Sequence, residues 1–238
     1  MVVGQDYRLA VPEPATGSPK GRRGAILASM PAPKHQRVLG QDPVMRRVMA
    51  AVGRLQGYYR ERTDFETVCR IITGQQLSYA AATTIWKRVR ALRESWRPEH
   101  VANLKPARLL GCGLSRNKAA FILEAAERAA RKDLNFAAIR KMPDEDAHAT
   151  LLAIKGFGPW SVEMFMIFAL DREDVFSVGD AGLRRAVCTL YGIPKARYES
   201  RVLKVTENWR PYRSFACRYL WGWLDTDEAR NTPRRAPP

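Results

Sequence analysis

From Asp42 onward, apolar side chains recur every three or four residues in one segment after another, and few stretches alternate as a strand would. That spacing constrains the fold more than any other feature. It predicts helices over Pro43–Val52, Phe65–Thr73, Tyr79–Leu92, Arg116–Arg131 and Asp144–Ile154. The punctuation agrees. Asp64 and Ser115 stand where a side-chain oxygen can take the orphan amides of a first turn, Pro143 precedes the acidic run Asp144-Glu145-Asp146, and Gly111, Gly113 and Gly192 fall at helix ends. A chain of 238 residues with 46% hydrophobic side chains can form one large domain or two modest ones sharing a cleft. About a dozen helices must bury several faces at once, so the expected architecture is all-α, two helical lobes flanking a groove.

Charge indicates the partner. The net charge of +16 favours a polyanion, with nucleic acid the first candidate and a merely soluble basic surface the alternative. Residues 1–40, rich in Pro, Gly, Ser and basic groups, are expected to be a mostly flexible basic tail, and residues 229–238 a second one. Removing the +4 and +3 of these tails leaves +9 on the body, residues 41–228. Cys69, Cys112, Cys188 and Cys217 lack CxxC spacing, which argues against a zinc site or an iron–sulfur cluster and for buried thiols in a reducing compartment. There is no signal-peptide core, and the longest apolar run, Met164–Leu170, is too short to span a bilayer, so a soluble intracellular protein is expected.

The chemistry concentrates between Leu151 and Arg184. In Lys155-Gly156-Phe157-Gly158-Pro159-Trp160 the glycines permit a turn with positive φ, and Pro159 suits the first position of a helix whose free amides can face an anion. An ordinary turn accounts for the glycines alone equally well. Further on, Asp180 follows Gly179 at the start of a helical run. It is placed either to cap that helix or to offer a carboxylate to a ligand, and the two roles are compatible.

Three separated motifs in order carry a resemblance. Gly156 to Ser161 followed by Val175-Phe176-Ser177-Val178-Gly179-Asp180 is similar to the helix-hairpin-helix and Gly/Pro-Asp motif of DNA base-excision glycosylases. Thr73-Gly74-Gln75-Gln76-Leu77-Ser78, and the stretch from Trp209 to Trp221, resemble the 3-methyladenine DNA glycosylase II (alkylpurine) branch, over roughly residues 41–225. Some members of that branch carry an additional N-terminal β-rich domain, for which the short tail leaves no room, so a minimal all-helical form is expected.

The resemblance implies roles. Lys155, Gly156, Phe157, Gly158 and Ser161 would hold a phosphate 3′ of the lesion, helped by a monovalent cation on the carbonyls of Leu152, Ile154 and Phe157. Gln76, with Leu77, would wedge into the gap left by the extruded nucleotide; a plain interhelical turn is the alternative. Trp160 and Trp221 would offer aromatic faces to a cationic base, worth about 0.5–2 kcal/mol when desolvated, with Met164 shaping the pocket where a relative has tyrosine. Trp86, Trp96 and Trp209 are assigned to the core, and Glu163 to a structural role. Asp180 would stabilise the oxocarbenium-like sugar. Lyase members of the superfamily carry a lysine where Trp160 stands, so the implied enzyme is a monofunctional hydrolase of damaged double-stranded DNA. A monomer is expected, with no required cofactor, in the cytoplasm at the nucleoid or in a nucleus. Two rivals remain: a glycosylase/lyase using Lys155 or Lys118, and a non-catalytic DNA-binding module.

Overall fold

The computed structural model describes residues 32–55 and 64–231. These form α1 (Lys34–Leu39), α2 (Pro43–Val52), α3 (Phe65–Gly74), α4 (Tyr79–Arg90), α5 (Pro98–Ala102), α6 (Pro106–Gly111), α7 (Arg116–Ala130), α8 (Phe136–Ile139), α9 (Asp144–Leu152), α10 (Pro159–Phe168), α11 (Ala181–Leu190), α12 (Tyr198–Glu207), α13 (Arg213–Trp223) and α14 (Asp227–Asn231). Among the described residues there is no strand. The five helices expected from spacing are α2, α3, α4, α7 and α9, each starting at the expected residue and ending within two residues of the expected stop. Their caps follow the residue chemistry: Asp64 Oδ1 accepts the Thr67 amide at 3.1 Å and Ser115 Oγ that of Lys118 at 3.3 Å. Gly113 and Gly192 end their helices with φ of 101° and 62°. Gly111 is instead the last helical residue of α6.

Two lobes result. In one, α7 packs against α3, α5 and α6 through its buried face of Ala119, Ile122, Ala125 and Ala126, and α10 packs on α3 and α9. In the other, α13 packs against α2 and α11, with α12 beside α11 and α1 beside α2. The first two described helices therefore share a lobe with α11, α12 and α13. A side chain such as Ile122, wholly buried, contributes about 1.5–3 kcal/mol by leaving water.

The boundary of the expected N-terminal tail at residue 40 needs correction. Leu39 is wholly buried, the His35 ring stacks on Phe215 at 4.1 Å, and Gln36 Nε2 donates to Tyr219 Oη at 3.1 Å. These contacts make α1 part of the body. Residues 1–31 and 232–238, the remainder of the two expected tails, lie outside the described residues. No helix among the described residues is long and apolar enough to cross a membrane.

The central element is α10. Ser161, Val162, Met164, Phe165, Met166 and Ile167 are buried on several sides of it, as befits a helix enclosed by neighbours. At its far end Phe168 stacks on Trp221 of α13 at 5.6 Å, and Arg218 Nη2 donates to the Ile167 carbonyl at 3.2 Å. Those two contacts join the lobes beside the cleft.

Candidate active site and nucleic-acid interface

Asp180 starts α11 and does what the helix requires: Oδ1 accepts the Leu183 amide at 2.8 Å. Two further donors converge on the same carboxylate. Trp221 Nε1, from α13, reaches Oδ1 at 3.0 Å, and Trp160 Nε1, from the first turn of α10, reaches Oδ2 at 2.9 Å. An ionised carboxylate has about four acceptor positions. Among the described residues two donors fill Oδ1 and one reaches Oδ2, which keeps one position open. Asp180 is 1% exposed, whereas Trp160 and Trp221 are half-buried, so the indoles form the visible wall and the acid lies behind them. The two tryptophans expected to offer ring faces thus also fix the acid through their N–H groups.

The rest of the wall differs in part from expectation. Met164 has no exposed surface and belongs to the core: one helical position beyond Glu163, it points into the helix packing and does not shape the pocket surface. The half-buried Phe168 is the α10 side chain that stacks on Trp221. Glu163 stands three residues after Trp160 and keeps partial exposure amid buried neighbours. Ser177 Oγ donates to its Oε2 at 2.5 Å. Burial, joined by the Asp180 charge and opposed by the Ser177 hydrogen bond, pushes the Glu163 carboxyl up to about 7.

The hairpin runs from the end of α9 to the start of α10. Gly156 adopts φ 83°, and a Cβ there would lie 2.2 Å from Phe121 Cδ2 on α7, so both conformation and space demand glycine. Gly158 is different. Its φ is −87°, its ψ 176°, and a Cβ would meet nothing within 4 Å. The amides of Gly156, Gly158 and Ser161 donate to no backbone carbonyl, leaving the start of α10 with the orphan donors that attract an anion. Lys155 Nζ pairs with Glu124 at 2.9 Å on an exposed surface, a contact worth about 0–1 kcal/mol. The Phe157 ring is buried edge-on to Phe165 and the Ser161 hydroxyl is buried on Gln75, so these two residues can meet a phosphate only through the backbone.

The segment expected to act as a wedge follows α3. Gln76 is exposed and holds φ 56°, uncommon for a residue with a side chain and a sign that the surroundings impose the conformation. Leu77 is half-buried beside it, its amide donating to the Gly74 carbonyl at 3.3 Å. The supporting residues were not evident from sequence. Gln75 Nε2 donates to the Gly156 carbonyl at 2.7 Å and to Ser161 Oγ at 2.9 Å, and Lys118 Nζ donates to the carbonyls of Thr73 and Gln75 at 2.9 and 2.5 Å. The Gln75–Leu77 segment and the hairpin are one bonded unit. The only sequence signal for it is the doubling Gln75-Gln76, one residue turned inward and the other out.

The tryptophans assigned to the core are there: Trp96 is buried edge-on to Trp86 at 5.7 Å, and Trp209 is wholly buried. All four cysteines are free thiols, with Cys188 half-buried and the others buried.

The chain is similar to known proteins in sequence and in fold. Residues 69–211 match the family described as HhH-GPD superfamily base excision DNA repair protein. The chain is 30% identical over 165 residues to YfjP of Bacillus subtilis, covering 66% of itself and 58% of that relative's length. In structure it is similar to a DNA-3-methyladenine glycosidase from Bacillus halodurans, with a TM-score of 0.72 at 30% identity over 84% of this chain and 93% of that one. It is also similar to the 3-methyladenine DNA glycosylase Mag1 of Schizosaccharomyces pombe in complex with abasic DNA, with a TM-score of 0.68 at 26% identity over 79% and 94% of the two chains.

Proposed function

The chain belongs to the HhH-GPD superfamily of base excision DNA repair proteins, and from that premise we propose that it is a monofunctional DNA glycosylase. It excises alkylated purines of the 3-methyladenine and 7-methylguanine type from double-stranded DNA and leaves an abasic site. One observation carries this reading: a carboxylate fixed by two indole N–H groups and a helix amide, with a single acceptor position left over beside an aromatic cleft.

The chemistry follows from the parts. A base inside a duplex is out of reach, so the nucleotide must be extruded. The amides of Gly156, Gly158 and Ser161 hold the backbone phosphate, and Gln76, set outward by its positive φ and braced through Gln75, fills the vacated space. The carbonyls of Leu152 and Phe157 receive no backbone N–H, and that of Ile154 receives only the Phe157 amide at 2.9 Å. They have lone pairs to spare for a monovalent cation, which would add positive charge behind the grip. In the cleft, a cationic purine meets the indole faces of Trp160 and Trp221. As the glycosidic bond breaks, positive charge builds on the sugar, and Asp180 Oδ2 is the oxygen able to face it. Water then adds at C1′. A cationic base leaves without a proton donor, so one fixed anion suffices.

The rivals fit less well. A lyase needs an amine at the hairpin position where Trp160 stands, and Lys118 is held on two carbonyls. A pure binding module has no use for the arrangement around Asp180. The protein acts as a monomer, without a required cofactor, wherever the chromosome lies, at the nucleoid or in a nucleus. Asp180→Asn is expected to lower single-turnover release of 7-methylguanine by about 100- to 1,000-fold while duplex affinity is kept. Release at the wild-type rate overturns the assignment.

A further inference from the structure

Behind the Asp180 arrangement lies a second acid that alkylpurine chemistry does not use. Val162, Met164, Phe165, Met166 and Ile167 of α10 are buried, yet Glu163 among them keeps partial exposure on the face that carries Trp160. Ser177, itself wholly buried and three residues before Asp180, holds Glu163 Oε2 and so ties this side chain to the segment that delivers the catalytic carboxylate. Among the described residues Oε1 has no hydrogen-bond partner, and it is not sealed from solvent. One oxygen is anchored and the other is open to solvent on the face of α10 that carries Trp160.

We propose that Glu163 is the proton donor for uncharged purines, a catalytic group that extends the cleft from cationic alkylated bases to neutral lesions. The charged and titratable groups around it are the Asp180 carboxylate ahead of α11, and Cys217 and Arg218 on α13. Cys217 is held as a neutral thiol by burial, and Arg218 is directed at the Ile167 carbonyl and Asp171. No group of α3 or α9, which also pack on α10, shifts it. Burial and the neighbouring Asp180 charge bring the Glu163 carboxyl to about 7, so a large fraction is the neutral acid under ordinary conditions. When a neutral purine departs, the C1′–N9 bond breaks with its electron pair going to N9. Glu163 Oε1 gives its proton to a ring nitrogen, the oxygen of water bonds to C1′, and the proton that water releases returns to the Glu163 carboxylate. Water has been added across the glycosidic bond, and the acid is restored. A cationic base leaves neutral and needs no such proton.

This inference rests on the glycosylase reading, so the test runs both classes of base on one duplex. Single-turnover release of hypoxanthine and of 7-methylguanine is measured with the full chain between pH 5.5 and 8.5. Wild-type hypoxanthine release should fall about tenfold per pH unit above about 7, as the donor ionises, while 7-methylguanine release shows no such limb. Glu163→Gln should remove the limb and cost hypoxanthine release about 100-fold more than 7-methylguanine release. Ser177→Ala, which deletes the bond that favours the ionised form, should move the limb to higher pH. Equal losses on both bases, or a limb that survives Glu163→Gln, overturn the proposal. Release of 7-methylguanine with hypoxanthine untouched also overturns it and leaves the glycosylase reading standing, whereas release of neither base overturns both.

Discussion

Two aspartates in this molecule have nearly the same job description and differ in one lone pair. Asp42 caps α2: Oδ1 accepts the amides of Val44 at 2.8 Å and Met45 at 3.3 Å, and Oδ2 accepts Tyr191 Oη at 2.5 Å and Trp209 Nε1 at 3.1 Å. Burial, reinforced by the hydrogen bond to Asp42, pushes the Tyr191 phenol well up and keeps it a donor. All four acceptor positions of Asp42 are filled, and the tryptophan that helps fill them is wholly buried. Asp180 caps α11 with the same two kinds of donor, backbone amide and indole, but has three of them, and its indoles stand in the cleft wall. Exposure runs the other way from the assigned roles, since Asp180 is 1% exposed and Asp42 is half-buried. What separates them is hydrogen-bonding capacity the fold leaves unfilled.

The sharpest way to break this contrast is to alter both acids. Asp180→Asn should abolish most excision, as set out above, at modest cost to stability, because asparagine also caps helices well. Asp42→Ala should do the reverse. It removes the α2 cap and strands the Trp209 and Tyr191 donors in or near the core, a loss of about 3 kcal/mol, or roughly 10 °C in Tm for a domain of this size. Its single-turnover rate per folded molecule should equal that of the wild type. If Asp42→Ala lost excision in proportion to Asp180→Asn with its Tm unmoved, the assignment of roles would be wrong.

The difference between the two acids was only half legible in the sequence. Helix spacing and caps were, because apolar periodicity and N-cap chemistry are local: α2 begins and ends where its residues say it should. Asp180 was legible as a cap and, through resemblance, as a catalytic acid. Trp160 and Trp221 were legible as wall residues, but their N–H bonds to Asp180 were not, since these join residues 20 and 41 positions apart. Long-range side-chain bonds leave no local pattern, which is also why Gln75 bracing the hairpin across 81 positions and Ser177 holding Glu163 went unforeseen. Met164 failed in the opposite way. Resemblance at a position carries no information on the direction of the side chain, and the packing of α10 turns Met164 inward.

A smaller effect tests whether the indole bonds matter on the two acids in different ways. Trp160→Phe keeps an aromatic face and deletes the N–H on Asp180 Oδ2, so the carboxylate should lose its hold and excision should fall about tenfold, the worth of one charge-assisted hydrogen bond. Tm should move little, since Trp160 is half-buried. Trp209→Phe deletes the matching N–H on Asp42 and leaves a gap in the core; Tm should fall and the rate should hold. Differential scanning calorimetry beside single-turnover kinetics reads both, and a rate loss in Trp209→Phe as large as that in Trp160→Phe would erase the distinction between the two caps.

The smallest expected effect carries the contrast to the hairpin, where two glycines stand in the relation of the two aspartates. Gly156 is required by the fold, through its positive φ and the Phe121 ring that fills the place of a side chain. Gly158 is not: its backbone is extended, open space surrounds it, and alanine could occupy it without strain. A glycine the fold does not need has its reason outside the fold, and under the proposed function that reason would be the close approach of a phosphate to the amides at the first turn of α10. Gly158→Ala should therefore leave Tm unchanged within the scatter of the measurement and weaken duplex binding several-fold, about 1 kcal/mol, as the added methyl holds the strand off the turn. No charge is removed, so the salt dependence of binding should keep its slope even as affinity drops. A drop in Tm without a change in affinity would place the need for Gly158 inside the protein, and the hairpin would then be a turn rather than a grip.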